Sequence, residues 1–135
     1  VGHIDLVDYD PDVLQLAKTE FQEINKSSLH DKRVSIHIED AWDFVNRAIE
    51  AGVTYDLIVS DLTVPMDIES AKLHSLDWYQ KLAKLTKQSG VMAVNTVSPS
   101  ANPLAYWCII NSLCKAELQV IPYRVHIPSF AEQDY

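Results

Sequence analysis

Glycine is scarce in this chain, with only Gly2, Gly52 and Gly90 among 135 residues, and no G-x-G-x-x-G occurs. A nicotinamide dehydrogenase, whose dinucleotide loop needs that pattern, therefore ranks behind other readings. Basic residues are also few: 11 Lys and Arg stand against 19 Asp and Glu, a formal net charge of −8. Binding to a nucleic-acid backbone needs clustered Lys and Arg, so that class is set aside, whereas the negative field suits a cationic substrate as well as plain solubility. No run of eighteen apolar residues is present to span a bilayer, and no basic-then-apolar leader opens the chain, so a cytosolic location is expected for this segment. Cysteine is limited to Cys108 and Cys114, six apart in one expected helix, where they face different directions. Reduced, buried thiols are expected. The five histidines, His3, His30, His37, His74 and His126, show no metal-ligand spacing, and no metal site is assigned.

What is present reads as alternating strands and helices. Ile4–Val7 is a short apolar strand, and Asp10-Pro11 then supplies a capping carboxylate and a first-turn proline. Val13, Leu14, Ala17, Phe21 and Ile24 recur at helical spacing to about Asn25. A second strand is expected over 33–38. Asp40 then caps a helix whose Trp42, Val45, Ala48 and Ile49 share a face and which ends at Gly52 in a left-handed conformation. Tyr55–Asp61 is a nearly continuous apolar run ending in an acid, the pattern of a parallel strand covered on both faces. A loop over 62–69, a helix over about 70–87 with Leu76, Tyr79, Leu82 and Ala83 inward, and a strand over 90–97 follow. A helix over about 103–116, a last strand over 118–126 and a tail over 127–135 complete the chain. This order predicts a single α/β domain, with a mostly parallel sheet flanked by helices. The chain opens Val1-Gly2 and enters HIDLVD at once, so it is expected to be a partial catalytic domain, truncated at both ends.

In open parallel sheets ligands sit beyond the carboxyl ends of the strands, and three carboxylates occupy those places: Asp8, Asp40 and Asp61. An acid in the position of Asp8 can accept both hydroxyl protons of a ribose. Asp40 can take a hydrogen bond from an adenine amino group, and as the residue before Ala41-Trp42 it can equally cap a helix. Asp61, ending the most apolar strand, is a carboxylate poised near any bound ligand. Spacing gives a nucleoside-binding α/β domain, for a dinucleotide or an adenosylmethionine-type ligand, and does not choose the reaction.

The series VDYDP (7–11), KRVSIHIEDAWDFV (32–45), YDLIVSDLTVP (55–65), LHSLDWYQKL (73–82), SGVMAVNTVSP (89–99) and IPSF (127–130) resembles the spermidine and spermine synthases in order and spacing. The AYWCIINSL and PYRVHIPSF stretches resemble the bacterial branch whose catalytic domain follows a membrane-spanning region, which would place such a region in a full-length parent. The resemblance implies a Rossmann-like three-layer sandwich of the adenosylmethionine-dependent methyltransferase type, decarboxylated S-adenosylmethionine as co-substrate, no permanently bound cofactor, and a diamine or polyamine as acceptor. It implies that Asp8 holds the ribose hydroxyls, that Asp40 with Ala41 holds the adenine, and that Asp61 is the catalytic acid of the D-S-x-D-P loop. Asp67, Tyr79 and Asn95 are the expected substrate-side residues. The second Asp of that loop is replaced by Val64, Asn95 stands where Gln is usual, and Phe130 where Tyr is common. Three readings stay open: an aminopropyltransferase, a methyltransferase using ordinary S-adenosylmethionine, and a family member without catalysis that serves as a binding or assembly module. The segment in isolation is expected to be poorly active, with an exposed strand edge that favours a homo-oligomer.

Overall fold

The structure, a computed structural model, describes residues 1–123 and 125. The chain divides into two compact units, Val1–Arg47 and Ala48–Tyr135. The first unit holds β1 (Ile4–Asp8), α1 (Pro11–Lys18), a 3-10 turn at Ser28–His30 and β2 (Val34–Ile38); α2 (Ala41–Glu50) crosses the division. The second holds β3 (Tyr55–Ser60), α3 (Ile68–Lys72), α4 (Leu76–Leu85), β4 (Thr86–Val94) and α5 (Pro103–Lys115). β1 and β2 pair in parallel, Ile4 opposite Val34 through Asp8 opposite Ile38. β3 and β4 also pair in parallel, Leu57 opposite Val91 through Ser60 opposite Val94. Each pair is joined by a helical crossover, because two parallel neighbours cannot be linked by a tight turn. Strands alternating with helices make this an α/β chain.

The two helix signals read most directly from sequence stand in the structure. Asp10 accepts from the backbone N–H of Asp12 and Val13, with Pro11 in the first turn of α1. Asp40 does the same for α2, accepting from Trp42 N–H at 2.8 Å and Asp43 N–H at 3.3 Å. At the other end of α2, Gly52 has φ +68° while Val53 N–H bonds Ala48 C=O and Gly52 N–H bonds Ile49 C=O. That pair of bonds is the Schellman closure, whose left-handed residue favours glycine.

Several expectations are corrected. α1 ends at Lys18, not near Asn25, because the Asn25 side chain donates to the Ala17 carbonyl and Phe21 N–H reaches back to Leu16. A local side-chain bond has displaced the helical ladder, and Phe21 and Ile24 are left exposed. The single helix expected over 70–87 is two: α3 begins at a capping box between Asp67 and Ser70, and α4 begins at Ser75, whose hydroxyl accepts from Trp78 N–H. β4 accordingly starts early, at Thr86. Between the Tyr55–Thr86 and Leu57–Val91 pairs the register shifts, so β4 bulges over 87–90. Residues 118–123 and 125 lie in no strand, contrary to the expectation for 118–126; Arg124, His126 and the tail with its IPSF run lie outside the described residues. Nor is β3 covered on both faces. Leu57 and Val59 are 56% and 64% exposed. Cys108 and Cys114 are free, and both are exposed rather than buried, standing off the α5 face that buries Ile109 and Leu113.

The core of the second unit is built on α4, whose Trp78, Tyr79, Leu82 and Leu85 are buried together with Ile109 and Leu113 from α5 and Ala116 at its C-cap. Gly90 is the tight point of the β4 bulge: a Cβ there would sit 2.9 Å from Thr86 Cγ2 and 3.0 Å from the Tyr55 carbonyl oxygen. Gly90→Ala is therefore expected to destabilise the protein by about 1–3 kcal/mol through overpacking, read as a lowered denaturant midpoint with an unchanged slope.

Candidate functional site

Each unit presents carboxylates at the carboxyl ends of its parallel strands. In the first unit β1 ends at Asp8 and β2 runs to Ile38 beside it, with Glu39 N–H bonded to the Asp8 carbonyl at 3.2 Å. Asp8 is half-buried, and its Oδ1 accepts from Asp10 N–H at 2.9 Å, a turn that fixes the carboxylate. Its Oδ2 has no partner among the described residues. Asp40 stands just beyond β2, with Oδ1 engaged in capping α2 and Oδ2 without a protein partner among the described residues. Ala41, the first residue of α2, is half-buried. Thus both acids expected to face a nucleoside keep an acceptor oxygen available, held by a backbone that local hydrogen bonds have already fixed.

On the same unit a second acid cluster forms that the sequence reading did not anticipate. Asp5 Oδ1 is 2.8 Å from His37 Nε2 and 3.3 Å from His3 Nε2, and the His37 ring lies 4.8 Å from that of Phe44 on α2. His37 lies two residues along from the partner of Asp5 in register, the spacing of same-face neighbours on adjacent strands. This arrangement ties β1, β2 and α2 together.

In the second unit Asp61 follows β3 and Asn95 follows β4. Asn95 N–H bonds the Ser60 carbonyl at 2.9 Å, and the Asn95 side-chain amide donates to Asp61 Oδ1 at 3.0 Å. Both residues are exposed. The parallel register that sets Ser60 opposite Val94 places the next residue of each strand side by side, so Asp61 and Asn95 are brought together by the sheet itself. Asp61 Oδ2 has no protein partner among the described residues.

Asp67 and Tyr79 take other places. Asp67 Oδ1 accepts from Ser70 N–H at 2.8 Å and from the Ser70 hydroxyl at 2.6 Å, the capping box of α3. Tyr79 is fully buried, its hydroxyl 3.3 Å from His74 Nδ1, and burial pushes its phenol well above the ordinary tyrosine value. The hydroxyl therefore stays protonated. His74, to which the sequence reading gave no role, is buried and bonds the Thr63 carbonyl through Nε2 at 3.0 Å. No periodicity marks it, because the break between α3 and α4 falls at 73–75.

A cavity of about 340 Å³ is lined by Gln80, Lys84 and Lys115 among others. It adjoins the C-terminal part of α4, which leads into the start of β4, the opposite end of that strand from Asn95. Among the described residues no group of His, Cys, Asp and Glu is arranged to hold a metal ion, and no helix is long and apolar enough to cross a membrane.

Comparison with known proteins bears on the whole length. The sequence profile of the spermine/spermidine synthase domain matches residues 1–135. A polyamine aminopropyltransferase of Mycobacterium tuberculosis is 33% identical over 126 residues, covering 93% of this chain and 24% of that protein. Polyamine aminopropyltransferase 2 of Bacillus cereus is 32% identical over 132 residues, covering 96% of this chain and 35% of the relative. The chain thus spans about a quarter to a third of these curated relatives. Among solved structures, a spermidine synthase in complex with the transition-state analogue AdoDATO superposes with a TM-score of 0.75 at 21% identity, over 86% of this chain and 38% of that one. The spermidine synthase of Thermotoga maritima gives 0.72 at 22%, over 86% and 37%. These two structural matches establish a shared fold.

Proposed function

Because the chain belongs to the spermine/spermidine synthase domain family, we propose that the protein it represents transfers an aminopropyl group from decarboxylated S-adenosylmethionine to a diamine or polyamine. The observation that carries this reading is the Asp61–Asn95 pair: a carboxylate fixed at a strand end by a 3.0 Å amide bond, with its second oxygen open to a ligand. The proposed fold is the Rossmann-like three-layer sandwich, with residues 1–135 part of one catalytic domain. Asp8 is assigned to the ribose hydroxyls and Asp40, with Ala41, to the adenine edge. Asn95 positions Asp61, and Asp67 and Tyr79 support the amine side from the cap of α3 and the core of α4.

The reaction is a displacement at the aminopropyl carbon bonded to the sulfonium. The amine lone pair forms the new C–N bond, the C–S bond breaks, and its electrons pass to sulfur, leaving a neutral adenosyl thioether. An alkylamine with a pKa near that of lysine, about 10.4, is mostly protonated at neutral pH and has no lone pair to offer. Asp61 accepts a hydrogen bond from the amine, aims the lone pair and takes up the proton as the bond forms, while holding donor and acceptor in line supplies much of the rate. The charge of −8 raises the local concentration of a polycation.

A second reading rests on Val64, an apolar side chain 37% exposed in the loop after Asp61, where the resembling enzymes carry Asp. On that reading the protein binds the adenosyl ligand without turning it over. Val64→Asp separates the two. On the catalytic reading it is expected to lower the KM for a diamine about tenfold, by pairing with the second ammonium; turnover that stays at zero while thioether binding is intact supports the binding module.

A further inference from the structure

From the packing around the Asp61 loop we infer that His74 is a positioning residue: it clamps the middle of that loop by donating to the Thr63 carbonyl, and so sets where Asp61 stands. This rests on the reading of Asp61 given above. Residues 61–67 run from β3 to α3 without regular structure. They are anchored at one end by Asp61–Asn95, and at the other by Met66 and Asp67 N–H groups on the Ser70 hydroxyl. Between those anchors, among the described residues, no hydrogen bond reaches Leu62, Thr63, Val64 or Pro65 except the one from His74.

The clamp is itself fixed. The His74 backbone N–H bonds the Ala71 carbonyl at 3.0 Å in the turn between α3 and α4, and the residue is only 8% exposed. The Thr63 oxygen can only accept, so Nε2 carries the hydrogen and Nδ1 faces the Tyr79 hydroxyl. Tyr79, with no exposure at all, is rooted in the core beside Trp78 and Leu82 and keeps its proton. The chain of contacts therefore runs from the α4 core through Tyr79 and His74 to the loop, two residues from Asp61. A buried imidazole engaged at both nitrogens has one ring orientation that satisfies both partners, so the loop carbonyl is held at one place. This gives Tyr79 its bearing on the amine side: it acts through His74, not by touching a ligand.

The test uses the intact protein and the variants His74→Phe, His74→Gln and Tyr79→Phe, read by amide hydrogen exchange at Met66 and Asp67, the loop amides that hold a hydrogen bond, by thioether binding, and by amine turnover. His74→Phe keeps the ring volume and removes the donor; it is expected to raise loop exchange about tenfold and lower kcat by a similar factor, on the order of one hydrogen bond. Exchange in α4 and α5 and the thioether Kd stay unchanged. His74→Gln, whose amide can still donate to Thr63, is expected to recover kcat and loop protection to within about threefold, which a purely packing role would not give. Unchanged loop exchange in a folded His74→Phe overturns the proposal. Should that variant lose the fold of α4, Tyr79→Phe decides: a loosened loop in a folded protein supports the clamp, and an unchanged loop contradicts it. If the intact protein transfers nothing to any amine, the aminopropyltransferase reading fails, while loop exchange still decides the clamp on its own.

Discussion

Asp61→Asn is expected to lower amine turnover by a factor of about 10²–10⁴, the usual worth of a positioned acid or base, while the affinity for the adenosyl thioether stays within about twofold. The asparagine is nearly isosteric and can keep its contact with the Asn95 amide through its own carbonyl oxygen, so the strand ends need not move. What is lost is the negative charge that holds an ammonium and receives its proton. Because the exposed carboxylate makes no bond into the core of its unit, no change in thermal stability accompanies the loss. Turnover reduced less than fivefold, in protein shown to be folded, would move the catalytic assignment away from Asp61.

Asp8→Asn is expected to weaken binding of the nucleoside thioether by at least about a hundredfold, since each hydrogen bond to a charged acceptor is worth about 1.5–3 kcal/mol and the carboxylate is assigned two ribose hydroxyls. Asparagine is preferred to alanine here because its carbonyl oxygen still accepts from Asp10 N–H, preserving the turn that leads into α1. Calorimetric titration with the thioether separates the loss of charge from any loss of structure. An affinity within threefold of the unaltered protein would show that Asp8 is a turn residue alone.

The parts of this chain that could be read in advance are those in which one residue serves one local purpose. Asp40 at the start of α2 and Gly52 at its end are backbone devices whose signal lies within a few residues. The strand-end acids were legible for a similar reason, but the meeting of Asp61 with Asn95 was not: the strand expected over 90–97 runs past Asn95, and only the register that sets Ser60 opposite Val94 brings the two together. The extent of α1 was not legible, because the apolar rhythm through Phe21 and Ile24 continues past the point where Asn25 captures the Ala17 carbonyl. Nor was the break before α4: apolar spacing bridges it, and only Ser75 marks the new cap. His74 was invisible for the converse reason, since its partners Thr63 and Tyr79 are brought to it by a turn that no periodic pattern encodes. Exposure of Leu57 and Val59 likewise depends on where the helices pack, not on the composition of β3.

The central claim is that this domain serves aminopropyl transfer, and the most direct test is mass-spectrometric turnover by the intact protein, offered decarboxylated and ordinary S-adenosylmethionine with a panel of diamines and polyamines. An amine that gains one aminopropyl group, from the decarboxylated donor alone and in step with thioether release, is the expected result. Methyl transfer from the ordinary donor, or no product with any pair from protein that still binds the thioether, would contradict it.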